Sequence, residues 1–456
     1  MAIYDLIVLG GGPGGYLAAE RAAQDGMKVA LVEKAHLGGT CLNEGCIPTK
    51  TLLNSAKLYR HAMESAAFGV TAENVKFDHE KVIARKQKVV KTLVGGVGMT
   101  MAANKVTVVT GNGRIAGRKD GGFAIAVEGG ETVIGKRLCI AAGSEVAVPP
   151  IPGVKEGLES GFIVTSREVL EMTKLPKQLA VIGGGVIGLE MACYFASVGV
   201  KVTVIEMMNK IAGPTDNDIC NILMKEYGAR GMEFKLSCKV LEVTKDSVVY
   251  EEKGEKKVCP ADCVLLCAGR RPATRNIGLE TLDIACERGA LLTDDHLCTN
   301  VAGVYAVGDC NGKIMLAHTA YREAEVAVNH MLGKKDAMRY DVIPSVIYTD
   351  PEVACVGETK ESAEKKGLKV KEVTVPMLYA GRYVAEVDNG PGFCKLVIDV
   401  NRDRLIGVHI VGSYASEMIY GAAMMLDTEL SPERLQKIVF PHPTVSEVIR
   451  EALFKI

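Results

Sequence analysis

The fold is decided by residues 6–33, which read LIVLGGGPGGYLAAERAAQDGMKVALVE. A short apolar run is followed by a glycine cluster, a helix-length stretch, a single glycine and a second apolar run that ends in Glu33. This order predicts a strand–turn–helix–strand unit, in which Gly10, Gly12 and Gly15 form the G-x-G-x-x-G pattern typical of dinucleotide binding. The first glycine permits a tight turn, the second lets backbone amides reach a pyrophosphate, and the third lets the helix close on the strand.

The same unit occurs a second time, at residues 179–206, which read LAVIGGGVIGLEMACYFASVGVKVTVIE. Gly183, Gly185 and Gly188 repeat the glycine pattern, and Glu206 ends this copy at the same spacing as the carboxylate that ends the first. Two complete units in one chain predict an α/β protein with two Rossmann-like dinucleotide-binding domains. We therefore expect two bound dinucleotides.

The glutamate at the end of each unit bears on the type of dinucleotide. A carboxylate at the tip of the second strand hydrogen-bonds a ribose 2′-hydroxyl and repels a 2′-phosphate. Glu33 and Glu206 therefore favour NAD over NADP at the site that binds nicotinamide. Lys210 is the only nearby cation that argues for the phosphate, and it would have to outweigh Glu206.

Length and composition exclude several other classes of protein. A chain of 456 residues corresponds to about three domains. Its 54 Lys and Arg residues balance 55 Asp and Glu residues, so no basic excess is available for nucleic acid or for an anionic membrane. The 14 cysteines occur without a secretory signal or an apolar run long enough to span a bilayer, which predicts a cytoplasmic protein with reduced thiols.

A pair of cysteines follows the first unit directly, in residues 38–50, which read GGTCLNEGCIPTK. Cys41 and Cys46 lie five positions apart where a helix is predicted to begin, so a distorted first turn brings them within disulfide range. A helix N-terminus lowers the pKa of a thiol, and Lys50, one turn after Cys46, would stabilise a thiolate further. Taken alone, the segment also fits two buried structural cysteines. Beside a dinucleotide unit, it indicates a disulfide oxidoreductase.

At this point the chain resembles a known family, the flavoprotein pyridine nucleotide–disulfide oxidoreductases, and within it the enzymes that oxidise dihydrolipoyl groups. The likeness is carried by GGTCLNEGCIPTK and runs from Tyr4 to the last helix. It implies that the first unit holds FAD and the second NAD. It also implies an FAD-binding domain over 1–145 and 271–345, an NAD-binding domain over 146–270, and a C-terminal α+β dimerisation domain over 346–456.

Two further blocks of sequence carry the resemblance. Residues 138–144 are similar to the strand and turn by which the chain leaves the FAD domain and include Gly143, although the family usually has Thr where Ala142 stands. Residues 303–309 are similar to the second FAD motif, in which Asp309 would hydrogen-bond the flavin ribitol.

The resemblance also implies cofactor contacts outside the glycine motifs. A turn beneath the isoalloxazine ring would be formed by Met315, Ala317 and His318. Contacts to the adenine side of FAD, to the equivalent part of NAD and near the bound NAD would come from Gly113, Val240 and Gly269. From the sequence pattern alone, these last three are simply turn residues.

Near the C-terminus, residues 440–447 read FPHPTVSE and contain a candidate acid–base pair. His442 lies between two prolines, and Glu447 is predicted on the first turn of a helix, where it would accept a hydrogen bond from the imidazole. The pattern resembles the family's C-terminal signature, which reaches across the subunit interface to the partner's disulfide. The resemblance therefore implies an obligate homodimer with shared active sites.

The reaction that the resemblance implies is oxidation of a dihydrolipoyl group with NAD⁺ as acceptor. The lipoyl group would be carried by a protein of a 2-oxoacid dehydrogenase or glycine cleavage complex. His442 of the partner subunit would remove a thiol proton, the thiolate would attack Cys41, and Cys46 would be released against the flavin. An ion pair of Lys50 with Glu190 would lie beside flavin N5.

Several alternatives compete with this interpretation. A glutathione-reductase-like enzyme would use NADPH, for which Glu206 has the wrong charge; mercuric reductases add a C-terminal cysteine pair, and related NADH oxidases use one cysteine. A cysteine hydrolase built on Cys41 and His442 would leave both dinucleotide units unexplained, and a scaffold role fits only as an addition to catalysis. No metal is predicted, because the cysteines at 259, 263 and 267 lack a fourth ligand.

Overall fold

The computed structural model describes residues 3–388 and 390–456. Within these ranges, every helix is too short or too polar to cross a membrane. The α-helices are α1 (Pro13–Gln24), α2 (Gly39–Glu44), α3 (Cys46–Glu64), α4 (His79–Ala103), α5 (Val154–Ser160), α6 (Val186–Ser197), α7 (Asn217–Ala229), α8 (Ala317–Met331), α9 (Lys360–Lys365), α10 (Gly381–Glu386), α11 (Ala415–Asp427), α12 (Pro432–Leu435) and α13 (Glu447–Leu453).

The strands of the first half of the chain are β1 (Ile3–Leu9), β2 (Val29–Glu33), β3 (Thr107–Thr110), β4 (Gly113–Lys119), β5 (Gly122–Val127), β6 (Val133–Ile140), β7 (Ser144–Val146), β8 (Ile163–Thr165), β9 (Gln178–Ile182), β10 (Lys201–Ile205) and β11 (Glu233–Lys235). Those of the second half are β12 (Cys238–Val243), β13 (Ser247–Glu252), β14 (Glu255–Pro260), β15 (Cys263–Leu266), β16 (Arg270–Pro272), β17 (Cys286–Glu287), β18 (Ala290–Leu291), β19 (Val304–Ala306), β20 (Ser345–Ile347), β21 (Val353–Gly357), β22 (Val370–Pro376), β23 (Phe393–Asp399) and β24 (Arg404–Val411). Short 3-10 helices lie at Ser65–Phe68, Glu168–Leu170, Leu279–Thr281, Gly308–Asn311 and Met377–Tyr379.

The chain forms two compact units. The first comprises Met1–Thr51, Lys81–Ala147 and Gly269–Tyr340. The second comprises Leu52–Glu80, Val148–Ala268 and Asp341–Ile456.

The first unit is built on a sheet in the order β3-β2-β1-β6-β5-β4, with β19 also paired to β6. Strands β3, β2, β1, β6 and β19 are parallel, whereas β5 and β4 are antiparallel. The central strands β1 and β2 carry apolar runs because both of their faces are buried; Leu6, Ile7 and Val8 of β1 have no exposed surface. This sheet places the turn after β1 at the start of α1.

The second unit contains a parallel sheet in the order β11-β10-β9-β15-β8. The strand β9 takes the place of β1, and β10 and β15 take the places of β2 and β6, so the repeat predicted from the glycine motifs is confirmed. A three-stranded antiparallel sheet, β12-β13-β14, lies in the same unit.

The C-terminal part of the second unit is an antiparallel sheet in the order β20-β21-β24-β23-β22. Helices α11 and α13 pack on it, and the residues between them, such as Leu396, Val408 and Leu453, are fully buried. The predicted fold class, α/β with two Rossmann-like sheets and a C-terminal α+β domain, is therefore confirmed. The predicted three-domain boundaries stay a prediction.

Candidate active site

In the glycine turn of the first unit, a side chain would clash at Gly10 and Gly15 but not at Gly12. Gly10 has φ +107°, and a Cβ built there would lie 2.2 Å from the Ala141 carbonyl oxygen. A Cβ on Gly15 would lie 1.8 Å from the Gly10 carbonyl oxygen, so helix and strand approach too closely for a side chain. At Gly12 the nearest atom to a built Cβ is the Gly39 Cα, 3.8 Å away. The second glycine therefore borders free space, as an approaching pyrophosphate requires.

The turn of the second unit has the same geometry. Gly183 has φ +106°, and its built Cβ would lie 2.3 Å from the Cys267 carbonyl oxygen. A Cβ on Gly188 would lie 2.2 Å from the Gly183 carbonyl oxygen, whereas no atom comes within 4 Å of one on Gly185. Both turns thus fit a dinucleotide at the N-terminus of the following helix.

The glutamates at the ends of β2 and β10 are held in matching ways. One carboxylate oxygen of Glu33 accepts a hydrogen bond from the Gly11 amide at 2.6 Å, and the other accepts one from the amide two residues further on. Glu206 makes the equivalent bonds, with Gly184 at 2.6 Å. Each oxygen keeps a second lone pair, so either carboxylate can also accept a ribose hydroxyl.

Lys210, the cation that argued for NADP, is engaged elsewhere. Its ammonium donates to the Thr215 carbonyl oxygen at 2.9 Å and to Asn217 Oδ1 at 3.0 Å. These bonds hold the charge at the start of α7. Glu206, in contrast, is hydrogen-bonded to the glycine turn through the Gly184 amide.

The predicted cysteine pair is brought together by two consecutive helices. Cys41 lies in α2 and Cys46 is the first residue of α3. The side chain of Asn43 stabilises the loop before α2, because its amide donates to the carbonyl oxygens of Leu37 and Gly39 at 3.0 and 2.9 Å. Both cysteines are half-buried free thiols, and the two side chains hydrogen-bond to each other. They can therefore form a disulfide with little rearrangement.

The electrostatics of this pair correct one expectation. The hydrogen bond with Cys46 raises the pKa of the Cys41 thiol well above its usual value, and burial raises it further, whereas the positive charge of Lys50 lowers it. The expectation of a depressed thiol pKa is therefore wrong for Cys41 in the dithiol form. Two thiols in contact cannot both ionise, because the second charge would face the first.

Asp309, the predicted ribitol contact, is held by residues that no motif indicated. Ser144 Oγ donates to Asp309 Oδ2 at 2.5 Å. Arg270 in turn donates to Ser144 Oγ at 2.7 Å and to the Ser144 carbonyl oxygen at 2.8 Å. Ser144 and Arg270 lie on the paired strands β7 and β16. The carboxylate is thus oriented before any ligand binds.

A buried carboxylate, Glu323 of α8, holds the same loop from its other side and was also missed. It accepts from the Gly308 amide at 2.5 Å, from Asn311 Nδ2 at 2.9 Å and from the Tyr340 hydroxyl at 2.8 Å, and it has no exposed surface. Burial raises the pKa of Glu323, while these three donors lower it. Glu323 therefore positions the loop that presents Asp309.

Several predicted contact residues lie in regular elements rather than in turns. Ala317 and His318 form the first turn of α8, directly after Met315 and Leu316. Gly113 is the first residue of β4 and Val240 lies within β12, so the turn expectation is wrong for both.

The other predicted glycines lie where two segments of the first unit meet. Gly269 has φ +114° and its carbonyl oxygen accepts from the Ala147 amide at 3.0 Å. Gly143 has φ +72° and its carbonyl oxygen accepts from the Ala273 amide at 3.0 Å. Both are loop positions that favour glycine.

Lys50 and Glu190 are placed on different units. Lys50 lies on α3 in the first unit, one turn after Cys46. Glu190 lies on α6 in the second unit, is 3% exposed, and accepts a hydrogen bond from the Tyr348 amide at 2.9 Å. Their ion pair beside the flavin stays a prediction.

The histidine–glutamate pair near the C-terminus has the geometry of an oriented base. His442 Nδ1 lies 2.9 Å from Glu447 Oε1, and Glu447 Oε2 accepts from the Thr444 amide at 3.0 Å. These two donors lower the pKa of the Glu447 carboxyl. An Nδ1–H that donates to the carboxylate leaves Nε2 free to accept a proton. The His442 side chain is 77% exposed on the chain, so Nε2 is accessible.

A metal site is not formed by the cysteines near β15. Cys259 lies in β14 and Cys263 in β15, both buried. Among residues 3–388 and 390–456, no group of three or more His, Cys, Asp or Glu side chains has an arrangement that could hold a metal ion.

Comparison with known proteins gives matches over nearly the whole chain. The family model for pyridine nucleotide-disulphide oxidoreductases matches residues 4–324, and that for the dimerisation domain of the same family matches residues 343–453. The mitochondrial dihydrolipoyl dehydrogenase of Pisum sativum is 38% identical over 458 residues, which cover 98% of this chain and 90% of that protein. The dihydrolipoyl dehydrogenase of Bacillus subtilis is 38% identical over 464 residues, 98% of this chain and 97% of that protein.

A solved structure is also similar along its full length. The HOCl-induced flavoprotein disulfide reductase RclA from Escherichia coli superimposes with a TM-score of 0.85 and 27% identity, covering 99% of both chains. The dimerisation domain supports a homodimer. Two dinucleotide turns, a cysteine pair at a helix start and these full-length matches lead to one conclusion: the chain belongs to the pyridine nucleotide–disulphide oxidoreductase family, whose cofactors are FAD and NAD.

Proposed function

We propose that the protein is a dihydrolipoyl dehydrogenase, which oxidises the dihydrolipoyl group of a partner protein to the cyclic disulfide and reduces NAD⁺ to NADH. The observation that carries this proposal is the contact between the Cys41 and Cys46 thiols, in a chain that is 38% identical to dihydrolipoyl dehydrogenases over 98% of its length. The partner would belong to a 2-oxoacid dehydrogenase or glycine cleavage complex, in the cytoplasm.

The two cofactors would occupy the two glycine turns, FAD at Gly10–Gly15 and NAD at Gly183–Gly188. The free space beside Gly12 and Gly185 fits the pyrophosphate of each. Asp309, fixed by Ser144, would receive the flavin ribitol. The FAD domain would then be 1–145 with 271–345, and the NAD domain 146–270.

The proton transfers in this proposal belong to residues of the chain. His442 of the partner subunit, held by its Glu447, takes the proton of one dihydrolipoyl thiol, and the thiolate attacks Cys41 in the Cys41–Cys46 disulfide. Cys46 leaves as a thiolate at the N-terminus of α3, near the charge of Lys50. FAD, when bound, supplies the two-electron transfer between this thiolate and NAD⁺.

A comparison of substrates tests the proposal directly. We expect dihydrolipoamide to reduce NAD⁺ at least about 100-fold more efficiently than NADP⁺, because the Glu206 carboxylate would repel a 2′-phosphate. Initial rates with both acceptors, measured as kcat/KM, check this. A glutathione-reductase-like enzyme is the second candidate, favoured by the likeness to a disulfide reductase. Turnover of NADPH with glutathione disulfide that exceeds the dihydrolipoamide rate would replace the proposal with that candidate.

Adding a methyl group at Gly185 is expected to impair NAD⁺ binding without harming the fold. The Cβ of Gly185→Ala meets no protein atom within 4 Å and projects into the space assigned to the pyrophosphate. KM for NAD⁺ should rise roughly 10- to 100-fold while Tm changes by less than about 2 °C. Steady-state kinetics and thermal melting measure the two effects.

Two other glycines provide the comparison. Gly228→Ala, on α7 with open space around it, should change neither KM nor Tm adversely. Gly188→Ala should lower Tm, because its Cβ would lie 2.2 Å from a carbonyl oxygen. An unchanged KM in Gly185→Ala would place the pyrophosphate elsewhere.

A further inference from the structure

Two tyrosines of the first unit form a hydroxyl pair that no part of the preceding mechanism uses. Tyr16 lies on α1, one turn after Gly12, and Tyr321 lies on α8, one turn after His318. Their hydroxyl oxygens are 2.5 Å apart, and their rings meet edge to face with centroids separated by 6.0 Å. Both side chains are half-buried. The helices that begin at two proposed flavin contacts are therefore joined by one short hydrogen bond.

This pair lies near the reactive cysteines. The loop before α2 contacts the start of α1, since the Gly38 amide donates to the Gly11 carbonyl oxygen at 2.8 Å and a Cβ on Gly39 would lie 2.6 Å from the Gly12 Cα. Burial raises the pKa of both tyrosines, and negative charge on the Cys41 sulfur raises it by a smaller amount. The two hydroxyls therefore stay protonated at neutral pH and lie within electrostatic range of the Cys41 sulfur.

One of the two hydroxyl protons is not used by the hydrogen bond between the tyrosines. Two hydroxyl groups carry two protons, and the bond between them uses one. The second proton is available for another acceptor, whichever tyrosine carries it. A thiolate that forms at Cys41 during turnover is such an acceptor.

We propose that the Tyr16–Tyr321 hydroxyl pair donates a hydrogen bond to the Cys41 thiolate, directly or through one water, and stabilises it as the leaving group. The inference rests on the proposed dithiol function and deepens it. In the last thiol exchange, His442 of the partner subunit, which has released the first proton to solvent, takes the proton of the second dihydrolipoyl thiol. The resulting thiolate attacks the lipoyl sulfur bound to Cys41. The lipoyl S–S bond forms, the bond to Cys41 breaks, and its electron pair stays on the Cys41 sulfur.

The stabilisation is distinct from the other charges that act on this sulfur. Cys46 and Lys50 are the neighbouring ionisable groups that most affect Cys41. Lys50 attracts the thiolate and Cys46 competes with it for a proton, whereas the tyrosines donate without losing theirs. Removing the hydroxyls should therefore make the Cys41 thiolate harder to form while the cysteine pair and Lys50 remain in place.

The test is alkylation of Cys41 in the flavin-loaded full chain, reduced with a phosphine and treated with iodoacetamide between pH 5 and 9. Mass spectrometry follows Cys41 and, in the same digest, the exposed Cys286 as an internal reference. In Tyr16→Phe/Tyr321→Phe, the pH profile of Cys41 alkylation should move to higher pH, with the rate near pH 6 falling about tenfold. Each single variant should fall in between, and Tyr4→Phe should match the unmodified protein.

An unchanged Cys41 profile in the double variant overturns the proposal. If the double variant loses its flavin, the single variant Tyr321→Phe is used for the test instead. An unchanged pH profile of Cys41 alkylation in that variant also overturns the proposal. The readout needs no lipoyl substrate. If the unmodified protein fails to oxidise dihydrolipoamide but the double variant still shows the shifted pH profile of Cys41 alkylation, the proposed function is rejected. The proposed role of the two hydroxyls is then supported.

Discussion

Replacing Cys46 with serine should lower dihydrolipoamide-dependent reduction of NAD⁺ about a thousand-fold or more. A serine hydroxyl cannot form the disulfide that accepts the electron pair, and Cys46, the first residue of α3, supplies the thiol that hydrogen-bonds to Cys41. The measurement is kcat with dihydrolipoamide at saturating NAD⁺, on protein that retains full flavin content.

Electron transfer that does not involve the disulfide should be retained in the Cys46→Ser variant. NADH oxidation with an artificial one-electron acceptor requires the cofactors alone, so Cys46→Ser should keep most of it. Cys286→Ser, which removes an exposed cysteine, should leave both activities unchanged. Retention of more than about a tenth of the dihydrolipoamide activity in Cys46→Ser would show that the pair is structural.

Replacing His442 with glutamine should lower kcat/KM for dihydrolipoamide by about 10²- to 10⁴-fold at pH 7. The Nε2 lone pair that accepts the thiol proton is lost, because a glutamine amide is not a base in this pH range. The deficit should shrink about tenfold per pH unit as the substrate thiols begin to ionise without a base. A pH series of kcat/KM for the variant and the unmodified protein measures this.

The controls separate the proton transfer from folding. His61→Gln changes a histidine on the last turn of α3 and should leave kcat/KM unchanged. The pKa of Glu447 is lowered, so it stays ionised as pH falls through the usual carboxyl range and contributes no step of its own near neutrality. A deficit in His442→Gln that is the same at every pH would mean that His442 does not act as a base.

The sequence predicted those parts of the molecule that depend on local patterns. Each G-x-G-x-x-G sits between a strand and a helix, and both Rossmann-like sheets follow from that order. The approach of Cys41 to Cys46 and the bond from His442 to Glu447 also follow from short spacings.

The parts that sequence reasoning missed depend on residues far apart in the chain. The bond between Ser144 and Asp309 joins positions 165 residues apart, and that between Tyr16 and Tyr321 joins positions 305 apart. No spacing rule predicts such pairs. The start of α8 was missed for a different reason, because Leu316 precedes it and makes no side-chain capping bond.

The pKa of Cys41 shows how a local rule can give the wrong sign. A helix terminus and a lysine each favour a thiolate, as predicted from the sequence. The contact between the two sulfurs outweighs both, because in the dithiol form one thiol must act as donor to the other.

The matching bonds of Glu33 and Glu206 have a consequence for how the protein tells its two cofactors apart. FAD and NAD share an adenosine diphosphate half. In each of the two loops that would bind it, two backbone amides donate hydrogen bonds to the glutamate carboxylate, and the distances are the same in both loops. Neither loop can discriminate between flavin and nicotinamide. We therefore expect the choice to be made at the opposite end of each ligand, where Asp309 of the first unit, held by Ser144, would receive the sugar alcohol of the flavin.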